Sequence, residues 1–159
     1  MTDMVAAVKR AVRDRVRHRR ELDEHREWAD AAWRIEREIE EVIAAGRTVV
    51  VGPWLSEVGY EALYWVPFLR WVKAAFRLSP ERVVAVSRGG VASWYAGIAD
   101  RYVETWDLVT PEVFARRTLE RGATKQLEPS AFDDELVAAV AQRLGEPVSV
   151  LHPSLMYRL

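Results

Sequence analysis

Thr48-Val49-Val50-Val51, closed at once by Gly52-Pro53, constrains the chain more than any other stretch. A short β-branched apolar run of this kind reads as a strand buried on both faces, the pattern of a parallel sheet covered by helices. Proline cannot donate to a ladder and glycine tolerates unusual backbone angles, so the strand ends at Gly52. Ser56 then stands where a helix N-cap is wanted, and Glu57 in the first turn complements the positive end of the dipole. A strand, a tight glycine-containing loop and a helix N-terminus form the usual place for an anionic or sugar ligand in α/β folds. Gly52, Ser56, Gly59 and Tyr60 are therefore candidate substrate-binding residues.

The helix that follows is apolar nearly all round. Val58, Ala62, Val66, Leu69 and Phe76 recur at helical spacing with Trp65 and Val72 beside them, and Tyr60, Tyr64, Phe68 and Trp71 fill the other face. Such a helix is buried on most sides and needs a further layer or a partner. Pro67 removes one backbone hydrogen bond and is expected to bend it. Glu57 and Glu61, four apart, share a helical face beside the loop. A carboxylate in partly apolar surroundings holds its proton more readily and can serve as a general base, so both are candidate catalytic residues, with Tyr60 and Tyr64 as aromatic walls suited to a sugar ring.

Further strands are expected at Arg82–Ser87, Val103–Trp106 and Val148–Leu151, separated by a short helix at Val91–Ala99, a helix from Pro111 to about Arg121 stopped by Gly122, a polar loop from Ala123 to Phe132, and a helix capped by Asp133-Asp134 and running to Leu144. Alternation of this kind predicts an α/β domain, Rossmann-like with three αβα layers, whose small parallel sheet of about four strands is joined by right-handed crossovers. The chain divides into an N-terminal helical extension, 1–46, and the α/β domain, 47–159, which reads as the first half of a longer two-domain architecture. The extension lacks proline and glycine up to Gly46 and is either one long helix or a helical hairpin. Its first half is basic (Lys9, Arg10, Arg13, Arg15, Arg17, Arg19, Arg20) and its second acidic (Glu36, Glu38, Glu40, Glu41), an order that opposes the helix dipole at both ends. Three arrangements would stabilise it: packing on the domain by its thin apolar stripe, antiparallel self-association, or docking of the basic half on an anionic membrane surface.

Composition narrows the function. A formal net charge of -1 argues against nucleic acid as a partner, since phosphate binding wants a basic excess. The absence of cysteine excludes disulfides, thiolate catalysis and cysteine-based metal or iron–sulfur sites. No apolar run is long enough to span a bilayer and no signal-peptide h-region is visible, which points to the cytoplasm, with the inner membrane surface as the place for a docked helix. Of seven tryptophans, five fall between Trp54 and Trp106, a density that fits a compact core or a surface awaiting a partner.

Three loops meet at the carboxyl edge of such a sheet. Besides Gly52–Gly59 they are Ser87-Arg88-Gly89-Gly90, offering a hydroxyl, a cation and exposed amides for a phosphate or a sugar hydroxyl, and His152-Pro153-Ser154, where His152 is a candidate base or ligand contact. Neither glycine loop is a P-loop or a dinucleotide fingerprint, because Gly-Lys-Ser/Thr and the three-glycine spacing are both missing. No cofactor and no metal site is expected. His18 and His25 lie on the charged extension and read as solvated.

The Ser56-x-x-Gly59 loop after the strand, and a helix whose proline is followed by Phe68-Leu69-Arg70, resemble the N-terminal half of GT-B glycosyltransferases, heptosyltransferases above all. That family has a strand, a Gly-Asp step and an Ala-Leu-Pro-x-Leu segment. The corresponding residues here are Gly59, Tyr60-Glu61 and Trp65-Val66-Pro67-Phe68-Leu69, and the second strand followed by Ala99-Asp100-Arg101-Tyr102-Val103 is also similar. The likeness covers about Thr48 to Trp106. Directly after the glycine, where the family has an acid, stands Tyr60, with Glu61 one place later. The resemblance implies an acceptor-side domain of a metal-independent enzyme that transfers a sugar from a nucleotide-sugar donor to a glycan or other hydroxyl acceptor. In it Glu61 or Glu57 would deprotonate the acceptor, Arg88 and His152 would hold anionic or hydroxyl groups, and the donor would bind only with a second domain. Two other readings stand beside it: a non-catalytic interaction module using the long helix and the tryptophan-rich surface, and a small phosphate- or nucleotide-binding α/β protein resting on Ser87–Gly90.

Overall fold

The computed structural model describes residues 23, 26–122 and 125–158. The basic run of the extension, His18 and His25 lie outside them. Four parallel strands form one sheet in the order β3-β2-β1-β4: β1 (Thr48–Val51), β2 (Val83–Ser87), β3 (Arg101–Glu104) and β4 (Val148–Leu151). Val49 pairs with Val83 on one side of β1, and Val50 with Val150 on the other. The α/β expectation with its small parallel sheet holds.

Residues 26–44 form one helix, α1, and 58–76 a second, α2. Both cover one face of the sheet, where Ile35, Ile39, Trp65, Val66, Phe68, Leu69 and Val72 pack on Val49, Val51, Val83 and Ala85. Burying a side chain of this size stabilises by about 1.5–3 kcal/mol, so the described part of the extension is a full layer of the domain. Arg82 fixes its end, donating to the carbonyl of Ile43 in the last turn at 2.9 Å and to that of Arg47 just beyond the helix at 3.0 Å. On the opposite face Val140, with Val137 and Leu144, packs on Val50, Val84, Val86 and Val103. These residues belong to α4 (Ala131–Leu144), which follows α3 (Pro111–Arg121). With helices on both faces, β1 and β2 can be apolar at successive positions, as their sequences are.

Several boundaries differ from expectation, each for a local reason. Glu57, not Ser56, is the N-cap of α2, and it makes no side-chain cap bond; Ser56 is buried. Within α2, Glu61–Trp65 is π-helical and the regular helix resumes at Val66, so Pro67 falls in a first turn where a missing N–H costs nothing. The segment after β2 makes only a 3-10 turn, Ala92–Tyr95, before Gly97 at φ 74° turns the chain. β3 begins at Arg101 and stops at Glu104, because Thr105 turns away to donate its hydroxyl to the Ser87 carbonyl at 2.8 Å. The N-cap of α4 is Ser130, in a capping box with Asp133.

The crossover from β1 to β2 runs through α2 on one face, and that from β3 back to β4 through α4 on the other. Two right-handed crossovers leaving in opposite directions must lie so. Between the carboxyl ends of β1 and β4 the strand order reverses, and ligands of open α/β sheets bind at such a switch point.

Candidate functional site

Gly52 leaves β1 at φ 118°, a conformation open to glycine, and its peptide bond to Pro53 is cis. A Cβ there would stand 2.5 Å from the Val86 carbonyl oxygen, which also accepts the Trp54 N–H at 2.9 Å. The turn therefore lies flat against β2 and delivers Trp54 into the core. Gly52 is buried and serves this close approach. Gly59, by contrast, is exposed, with nothing within 4 Å of where a side chain would begin.

Glu61 sits in the π-helical turn and is fully buried. Its Oε1 accepts the hydroxyls of Ser87, at the end of β2, and of Tyr95 at 2.7 Å. Among the described residues Oε2 has no partner. Burial pushes the Glu61 carboxyl above its ordinary range; the bonds from Ser87 and Tyr95 and the charge of Arg88 pull it back in part, while Glu104 adds to the rise. With two donors on Oε1, the neutral form carries its proton on Oε2. Glu57 and Glu61 do not share an environment: Glu57 is exposed at the helix start.

The Ser87–Gly90 loop holds itself. Gly89 and Gly90, at φ 86° and 72°, point their amides at one carboxylate, that of Glu104, at 2.9 and 2.8 Å, and Tyr102 donates to it at 3.3 Å. The amides expected to be open to a ligand are thus occupied by an internal anion. Arg88 donates to the carbonyls of Ser56 at 2.6 Å and Trp54 at 3.2 Å, and lies 5.1 Å from the Phe114 ring centroid. It braces the first loop against the second.

His152 is also built in. Its Nδ1 accepts the Ser154 N–H at 3.1 Å, so its proton sits on Nε2, which lies 3.2 Å from Asp133 Oδ1. That carboxylate also accepts Gln126 Nε2 at 2.8 Å, and Gln126 in turn donates to the Pro53 carbonyl and accepts the Leu55 N–H. Burial opposes the charge of Asp133, but the bonds from His152 and Ser130 outweigh it and hold its pKa low. The chain Leu55–Gln126–Asp133–His152 ties the loops after β1 and β4 to the start of α4.

One opening lies at the switch point itself. Tyr60 and Tyr64, stacked with centroids 5.4 Å apart, form its wall on the β1 side; Met156 and Tyr157, from the short helix α5 (Ser154–Tyr157) after β4, form the other; Lys125 closes it, its ammonium 5.5 Å from the Tyr60 ring centroid. The pocket is about 220 Å³. Burial raises the Tyr157 phenol, the Ser56 hydroxyl lowers it in part, and Tyr60 and Glu57 raise it further. Of the expected site residues, Tyr60 lines this pocket; Glu61, Ser87, Arg88, Gly89 and Gly90 gather over β2, in the interior or bonded to one another.

No family model matches the chain, and neither a curated protein nor a solved structure matches it. A Rossmann-like fold hosts many activities, so function has to be argued from the site. Lys125, Met156 and Tyr157 carry no motif and could be found only through the topology, which brings the loops after β1 and β4 together. Among the described residues no cluster of three His, Asp or Glu side chains could hold a metal ion, and no helix is long and apolar enough to cross a membrane.

Proposed function

We propose that the chain is the acceptor-side α/β domain of a GT-B type glycosyltransferase and that it holds a sugar or other hydroxyl-bearing ring at the switch point between β1 and β4. The observation that carries this reading is the pocket walled by stacked Tyr60 and Tyr64. Flat aromatic faces suit the C–H faces of a sugar ring. Glu57, exposed at the start of α2, is the carboxylate open to an acceptor hydroxyl, whereas Glu61 is sealed. Glu57 would accept the acceptor's proton as its oxygen attacks the anomeric carbon of a nucleotide sugar and the nucleoside diphosphate leaves. A second α/β unit would hold that donor.

Calorimetry of the chain against simple saccharides and nucleotide sugars tests this. Weak saccharide binding, lost in Tyr64→Ala, is expected, together with no tight nucleotide-sugar binding. Low-micromolar affinity for a nucleotide sugar would move the assignment to a nucleotide-binding protein. A second reading, an interaction module, is favoured by Trp28 and Trp33 on α1, 64% and 61% exposed. Self-association or membrane-surface docking through this helix predicts that Trp28→Ala/Trp33→Ala lowers the sedimentation mass or vesicle binding of the chain.

A further inference from the structure

The pocket at the switch point carries a cation with no ion-pair partner among the described residues. Lys125 is exposed, its ammonium lies over the Tyr60 ring, and among the described residues it makes no ion pair. Some surface cations are paired, Arg101 with Glu146, Arg143 with Asp107 and Arg158 with Glu38, while Arg70 and Arg77 share with Lys125 the lack of an ion-pair partner among the described residues. No carboxylate stands among the lining residues Tyr60, Tyr64, Lys125, Met156 and Tyr157.

We infer that the pocket selects an acidic sugar, a single pyranose-sized ring bearing a carboxylate or phosphate that Lys125 pairs with while the ring stacks on Tyr60 and Tyr64. This rests on the acceptor reading above and names its substrate class. Size argues for one ring: about 220 Å³ lies below the roughly 300–1,000 Å³ of sites for drug-sized ligands. A nucleoside diphosphate would overfill it, and the amides that might cradle its phosphates are held by Glu104. Charge does the orienting. With the anion held at Lys125, the ring keeps its uncharged hydroxyls on the side away from the lysine. A lysine suits either anion, because it acts as a compact charge without the fixed fork of an arginine.

The test is a titration of the chain with glucose, glucuronate, glucose 6-phosphate and adenosine monophosphate, followed by protein NMR shifts, in the wild type and in Lys125→Met. Glucuronate or glucose 6-phosphate should bind about tenfold or more tighter than glucose, as a charge-assisted bond allows. The preference should shrink with added salt and vanish in Lys125→Met, while weak glucose binding survives. Which of the two anionic sugars binds tighter identifies the anion. Equal affinity for glucose and its charged relatives, or a preference that Lys125→Met leaves intact, overturns the inference and leaves the acceptor reading standing. Binding of adenosine monophosphate with loss in Lys125→Met, and of no sugar, overturns both the sugar class and the acceptor reading. Lys125 is exposed, so a melting temperature equal to that of the wild type certifies the fold of the variant.

Discussion

The Tyr95 hydroxyl donates to Glu61 Oε1 at 2.7 Å, joining the 3-10 turn after β2 to the π-helical turn of α2 across the fully closed interior of the domain. A carboxyl in that position is a structural acceptor for two buried hydroxyls, and its neutral form is favoured by burial.

The pH dependence follows. Because the folded-state pKa of Glu61 is raised above its ordinary 4.5, the folded protein binds more protons than the unfolded chain in the interval between the two values. The stability contributed by the neutral carboxyl is full below 4.5 and is lost as pH rises through the raised value. Glu61→Gln keeps an oxygen for Ser87 and Tyr95 and cannot ionise. Urea midpoints measured across this range should decline in the wild type and stay flatter in the variant. Identical profiles would show that Glu61 titrates normally. Glu61→Ala should be far worse, since each hydroxyl left without an acceptor costs about 1–3 kcal/mol.

Gly52 and Gly59 were both legible as loop glycines, and they separate cleanly by substitution. At Gly52 the added Cβ would meet the Val86 carbonyl at 2.5 Å with φ at 118°, so Gly52→Ala should cost at least about 3 kcal/mol from strain and overlap together. Gly59 lies in a helical turn with open space around it. Gly59→Ala should therefore stabilise by roughly 0.5–1 kcal/mol. Thermal or urea unfolding of the two variants reads both signs. A Gly59→Ala protein that is stable but has lost saccharide binding would bring the ligand up to that backbone.

The same contrast shows what sequence can and cannot carry. β1 and β4 were expected at the residues they occupy, and β2 to within one; β1 and β2 are continuous apolar runs with few alternatives to a doubly covered strand. β3 is the run Arg101-Tyr102-Val103-Glu104, with charged residues at both ends, so its pattern was weak and its start was misplaced by two residues. Glu57 is an extended N-cap outside the helix rather than a first-turn residue, a boundary the spacing of Glu57 and Glu61 does not show, and so the sequence put the two on one face. His152 was visible as a residue after a strand, but its partners Asp133 and Gln126 come from α4 and the loop before it. No spacing rule joins them.

Asp133 accepts from Gln126, His152 and the Ser130 backbone and hydroxyl. Every partner is a donor. Asp133→Asn would set an amide N–H₂ against donors in a buried place and should cost about 3 kcal/mol, as for a lost charge-assisted network. Its depressed pKa means that Asp133 stabilises the fold above its ordinary value of 3.8 and that this contribution is lost as pH falls through the lower folded-state value. Acid unfolding midpoints compared between wild type and Asp133→Asn should differ little at the lowest pH and most near neutrality. An equal gap at all pH values would assign the damage to packing instead.

The division of labour between the two carboxylates is the sharpest consequence of the site. Glu57 is exposed at the start of α2; Glu61 is sealed in the interior, with Oε1 taken by Ser87 and Tyr95. In a chain carrying both α/β units, Glu57→Gln should lower kcat on the order of a hundredfold or more while leaving acceptor affinity nearly unchanged, the signature of a base used only in the transition state. Glu61→Gln should leave kcat close to that of the wild type at temperatures where the fold is intact. The reverse result would mean that α2 opens at its π-helical turn to expose Glu61 during turnover. Two inactive variants with normal melting temperatures would make the pair a relay, with Glu57 taking the proton and Glu61 holding the wall behind it.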